Sequence, residues 1–126
     1  TNKGHTRDER KAAWLDISRR FGHDVSWEGL EQHEAYQWQR QGHLFSVPFY
    51  YIEYGIAQLG ALGVWLTSLE KGQAEALDLY KKAMTLGNKR PLPEIFNAAG
   101  LPFDFGPETI GRLVEAVEAE LAKLPE

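Results

Sequence analysis

The chain has 126 residues, 43% of them apolar and 25% charged, with a net charge of −4 and no cysteine, which suits one ordinary domain with a packed core. Its 14 lysines and arginines are interspersed with 18 acids, so nucleic-acid binding has no electrostatic footing. The lack of thiols excludes disulfides and thiolate metal sites and suits a reducing, cytoplasmic compartment. The apolar stretch from Ile56 to Leu66 falls short of the ~20 residues of a membrane span. The polar opening TNKGHTRDER lacks the apolar core of a signal peptide.

The predicted elements are helical throughout. Thr6 followed by Glu9 is the pattern of a capping box, and Gly22 is a stop signal. Between them Ala12, Ala13, Trp14, Leu15, Ile17 and Phe21 supply apolar bulk, and Asp24 to Gly29 reads as a connector. A second helix is expected from Leu30 to Arg40, anchored by Tyr36 and Trp38 and ended by Gly42, with a loop from His43 to Val47. Pro48 suits the first turn of a third helix, expected from Pro48 to Leu69, because its missing N–H would be unpaired there anyway. On that helix Tyr50, Tyr54, Ala57 and Ala61 share one face, while Ile52, Ile56, Leu59, Leu62 and Leu66 spread over the others. A helix apolar nearly all round belongs at the centre of a fold. Gly55, Gly60 and Gly63 each cost helix propensity of ~1 kcal/mol against alanine, which points to close approach by neighbours or ligand.

Gly72 separates a fourth helix, Gln73 to Leu86, with Ala76, Leu77, Tyr80, Ala83 and Met84 as its core face and Gly87 as its cap. A short helix from Pro93 to Ala99 stops at Gly100, and the last helix starts near Pro107. Ile110, Leu113, Val114, Val117, Leu121 and Leu124 keep the spacing of an amphipathic stripe. No strand pattern, repeat or low-complexity tract is present. The fold class is all-α, a bundle of five or six helices in one domain, with a central apolar helix near residues 48–69.

The chain offers little complete chemistry. His33-Glu34-Ala35-Tyr36-Gln37 begins like the zinc motif HExxH but has Gln37 where the second histidine belongs, and zinc needs two imidazoles one helical turn apart. His33 and Glu34 therefore read as solvent-facing residues of a short helix, and no metal site is expected. Ser18, Ser26 and Ser46 sit in no nucleophile motif, and no glycine loop cradles phosphate. Glu53 lies in an apolar stretch, as an acid–base group raised by burial or as a charge paired with Arg or Lys. His43 and the phenols Tyr50, Tyr51 and Tyr54 have two readings. They are amphipathic core residues with satisfied hydroxyls, or they are donors that hydrogen-bond the oxyanion formed when water attacks a peptide carbonyl.

At these residues the chain resembles a known family. Trp38, then Gly-His-Leu-Phe, then Pro-Phe-Tyr-Tyr-Ile-Glu-Tyr-Gly-Ile-Ala-Gln ending at Gln58, is similar to the C-terminal region of oligoendopeptidase F, a relative of thimet oligopeptidase. The likeness continues more loosely through ALDLYKKAMTLGNKRPLPEIFNAAGLPFDF to the last helix. It implies a mostly helical, two-lobed peptidase whose zinc is held by HExxH and a downstream glutamate, with a zinc-bound water attacking the scissile carbonyl of a short peptide. It also implies that His43, Tyr50 and Tyr54 help hold the substrate and the tetrahedral intermediate, with Tyr51 a weaker substrate-binding candidate. The zinc apparatus is absent here. The chain is thus expected to be the C-terminal substrate-binding portion of such an enzyme, requiring a missing N-terminal lobe and binding no zinc alone. It is also expected to be prone to self-association through the exposed Tyr50, Ala57 and Ala61 face. The alternative is a free-standing, non-catalytic helical binding module.

Overall fold

The computed structural model describes residues 4–22 and 25–125; His23, and Asp24 at the head of the expected connector, lie outside them. Among the described residues the chain is all-helical, with seven α-helices and no strand. The bundle class is as expected, and the helix count exceeds the five or six read from the pattern. The chain divides into two compact units, the first ending at Tyr51 and the second beginning at Ile52.

In the first unit, α1 (Arg7–Phe21) opens on the expected capping box. The Glu9 N–H donates to Thr6 Oγ1 at 3.2 Å and the Thr6 N–H donates to Glu9 Oε2 at 2.6 Å, so two otherwise orphaned donors are satisfied reciprocally. Gly22 ends the helix by close approach rather than by a left-handed backbone. Its φ is −77°, its N–H donates to the Ser18 carbonyl at 2.7 Å, and a Cβ there would lie 2.3 Å from that oxygen. Helix α2 (Glu31–Tyr36) packs on α1, and the Trp14 indole N–H donates to the Glu34 carbonyl at 3.1 Å. His33 is exposed on α2, as expected, while Glu34 is half-buried. The expected anchors Tyr36 and Trp38 are half-buried. The Lys11 ammonium sits 4.6 Å from the Tyr36 ring centroid and the Arg10 guanidinium 5.8 Å from that of Trp38, both within cation–π range. The second helix tightens into a 3₁₀ turn over Gln37–Arg40.

Residues 43–46 were expected as loop and instead form a short helix, α3 (His43–Ser46). The Gly42 carbonyl organises it by accepting from the Ser46 N–H and Ser46 hydroxyl, both at 3.0 Å. No described residue of this first unit is fully buried.

The second unit holds α4 (Ile52–Lys71), α5 (Gln73–Leu86), α6 (Leu92–Ala98) and α7 (Pro107–Leu121). Helix α5 packs on α4 and α6, and α7 packs on α4. The tight turn between α4 and α5 is made by Gly72 at φ +92°, a backbone that a side chain would strain. Leu66, Ala76, Ala83, Ala99 and Leu113 form the core, with Thr67 beside them donating its hydroxyl to the Gly63 carbonyl at 2.9 Å. Three alanines in a core of five let the helices approach closely.

Three expectations change here. The central helix starts at Ile52 rather than Pro48, and only its C-terminal half is packed: Leu66 and Thr67 are buried while Ile52 is 67% exposed. Of the core face expected on α5, Ala76 and Ala83 are buried, but Leu77, Tyr80 and Met84 are exposed. On α7 only Leu113 is fully buried; Ile110, Val114, Leu121 and the trailing Leu124 of the expected stripe are exposed. Four helices are too few to cover every apolar stripe they present. The helix glycines divide as well. A Cβ at Gly60 would meet Phe96 at 3.1 Å and one at Gly63 would meet Leu101 at 3.0 Å, whereas Gly55 faces open space.

Candidate functional site

The segment that follows α3 reverses direction in a single turn. The Tyr50 N–H donates to the Val47 carbonyl at 3.1 Å, closing a four-residue turn from Val47 to Tyr50. Pro48 occupies its second position, where a fixed φ of about −65° is favoured, and Phe49 its third, at φ +66°. This is type II geometry, normally completed by glycine. Phe49 adopts it with its ring 96% exposed.

The turn corrects the sequence reading of the site. Pro48 pre-sets a φ that serves both the first turn of a helix and the second position of a β-turn, and here it serves the latter. Tyr50 therefore stands outside α4, and Tyr50 and Tyr54 do not share a helical face. Tyr54 lies in the first turn of α4 in the second unit and is 53% exposed. The exposed face of α4 that includes Ala57 and Ala61 lacks Tyr50.

What the turn does bring together is His43, Tyr50 and Tyr51. The Tyr50 ring lies nearly parallel to the half-buried His43 imidazole, with centroids 5.9 Å apart and an interplanar angle of 8°; the Tyr51 ring meets His43 edge-on at 5.4 Å and 77°. Both are favoured ring geometries. The Tyr51 hydroxyl donates to Gln41 Oε1 at 2.8 Å, which commits its proton. Tyr51 thus braces the imidazole. Gln41, absent from the candidates read off the sequence, braces Tyr51. Only its position two residues before His43 hinted at this. In the same unit the Trp38 and Phe45 rings lie 5.8 Å apart.

A shallow groove of about 920 Å³ on the same unit is walled by Trp14, Ile17, Phe21 and Trp27 and reaches Gln41 and Tyr51. Ser18, Arg19, Glu34 and Gln37 also line it, and aromatic walls interspersed with polar groups suit a peptide segment.

Glu53 is exposed in the first turn of α4 and makes no ion pair among the described residues. Neither the paired nor the buried reading of this carboxylate applies. At the other end of the unit, Asp104 accepts from the Gly106 N–H at 3.2 Å and from the Thr109 hydroxyl. The Thr109 hydrogen bond, with the backbone N–H of Gly106 behind it, holds the Asp104 carboxyl below its ordinary range. The signal for this was present in the Asp-Phe-Gly-Pro run that leads into α7.

Among the described residues no group of three or more His, Asp or Glu side chains is placed to hold a metal ion. No helix is long and apolar enough to cross a membrane. Compared with known proteins, the chain matches no family model, no curated protein and no solved structure.

Proposed function

We propose that this chain is the substrate-binding portion of an oligoendopeptidase F-like zinc peptidase, presenting His43 and Tyr50 to short peptides, and that it does not cleave peptides by itself. The observation that carries this reading is the ring cluster. His43 is held between Tyr50 and Tyr51, inside the residues on which the resemblance rests. The cluster's Tyr51 also lines the groove, and imidazole and phenol are groups of the kind that bind a peptide carbonyl and stabilise negative charge developing on its oxygen. The groove walled by Trp14 and Trp27 would take an adjoining apolar side chain. In this reading zinc and its ligands belong to the N-terminal lobe of the parent enzyme, and the compartment is cytoplasmic, which the absence of thiols supports.

A second reading has its own support. No described residue of the first unit is fully buried, and the apolar stripes of α5 and α7 stay partly uncovered. A free-standing helical module that docks a partner would need such surfaces, as would a fragment missing its lobe.

Two measurements separate these readings. The first is the mass of the native product in source cells, detected with an antibody to this chain. A product several times heavier than 14.3 kDa supports the peptidase portion, and one of that size supports the module. The second is binding of short apolar peptides to the purified chain, followed by indole fluorescence. His43→Ala and Tyr50→Phe are expected to weaken it by about 3- to 10-fold each, the value of one hydrogen bond. Unchanged affinity in both variants, or zinc-dependent cleavage by the purified chain, overturns the proposal.

A further inference from the structure

The second unit contains a cavity of about 300 Å³ between the C-terminal half of α4, the loop after α6 and the first turns of α7. Its floor is apolar: Leu59, Leu66, Phe96, Leu101, Phe105 and Leu113. Its rim is charged, with Glu70, Lys71, Asp104, Glu108 and Arg112. The size and this division of apolar floor from polar rim are those of small-ligand sites.

The rim charges do not cancel. Arg112 is paired with Glu70 at 2.5 Å, while Lys71 lies 3.8 Å from Glu75, a carboxylate outside the cavity. Asp104 is held by neutral donors, the Thr109 hydroxyl and the Gly106 N–H, which orient its charge without neutralising it. Glu108 has no ion-pair partner among the described residues. The N-terminus of α7 offsets only about half a unit of this negative charge. The lining thus holds three carboxylates against two cations, and a net negative charge remains over the apolar floor.

We propose that this cavity binds an apolar group carrying an ammonium, with the apolar body on Phe96, Leu101 and Leu113 and the ammonium between Asp104 and Glu108. The ammonium is supplied by a small amine or by the N-terminus of a peptide that begins with a bulky apolar residue. Anionic ligands of the same shape bind more weakly, because the net charge of the lining is negative. This site lies in the second unit and is independent of the His43 cluster.

The test uses the full chain, labelled with nitrogen-15, and titrates 2-phenylethylamine, 2-phenylethanol and phenylacetate separately. The amine is expected to saturate with a Kd on the order of 1 mM, which is reasonable for so small a ligand. Shifts should concentrate on residues 96–109, with the alcohol weaker and phenylacetate weakest. Glu108→Gln, an exposed change that leaves the floor intact, should weaken the amine about tenfold, the worth of one charge-assisted contact. A tripeptide with a free N-terminal phenylalanine that binds more tightly than the amine identifies the peptide source; tighter binding of the amine identifies the small molecule. Equal or tighter binding of phenylacetate, failure of the amine to saturate, shifts centred elsewhere, or an unaffected Glu108→Gln variant overturns the proposal.

Discussion

Replacing Phe49 with glycine should stabilise the protein, and the sign of that effect tests the turn that builds the His43 cluster. Phe49 holds a left-handed backbone at φ +66°, which costs a non-glycine residue roughly 1–2 kcal/mol. Its ring is 96% exposed, so removing it forfeits almost no buried area. Glycine relieves the strain and loses roughly 0.5–1 kcal/mol to the greater freedom of its unfolded backbone. The balance is a gain of about 0.5–1 kcal/mol. With a urea slope of about 1–2 kcal/mol per molar, the midpoint should rise by about 0.5 M. Amide exchange at Tyr50, whose N–H closes the turn onto Val47, should slow in parallel. Were residues 48–51 helical instead, the same substitution would cost about 0.5 kcal/mol in propensity, since phenylalanine is itself a weaker helix former than alanine. A fall in the midpoint with faster Tyr50 exchange would therefore refute the turn and return Tyr50 to the face of Tyr54.

The helix glycines of α4 should respond in opposite ways. Gly55→Ala, in open space, should gain up to about 1 kcal/mol from helix propensity, while Gly63→Ala should gain nothing or lose stability because its Cβ meets Leu101 at 3.0 Å; equal gains in thermal melts would contradict the close approach. Leu113→Ala should cost about 2–4 kcal/mol in urea unfolding, the large-to-small penalty of a buried leucine. Its neighbour Val114→Ala, on the exposed side of α7, should stay within about 0.5 kcal/mol, and comparable losses at both would mean the stripe is covered. The depressed pKa of Asp104 contributes stability that is complete above the ordinary carboxylate value of 3.8 and disappears as pH falls through the lower folded value. Thr109→Val removes the main cause, so wild-type and variant stabilities should differ above about pH 4 and converge in stronger acid. A difference that stays constant with pH would show that the hydroxyl does not act through Asp104.

The candidate site was partly legible because its members are close in sequence. His43, Tyr50 and Tyr51 lie within one short segment, so any compact turn there gathers their rings. Whether Tyr50 and Tyr54 share a face was not legible, since proline serves both a helix start and a turn, and one φ at Phe49 decided against it. The cavity of the second unit was invisible for another reason. Its walls come from α4, the loop after α6 and α7, and no local pattern records which distant segments meet.

The sequence by itself determined the all-α class, the capping box at Thr6 and Glu9, the helix over Gln73–Leu86 and the start of the last helix at Pro107. Each of these follows from interactions within a few residues, where the helical repeat, caps and glycines act. Only the tertiary structure decided which apolar residues are covered. Ala76 and Leu113 are buried while Leu77 and Ile110, in the same expected stripes, stay exposed. Burial depends on how many partner surfaces reach a stripe, and the second unit supplies only enough to cover one side of each.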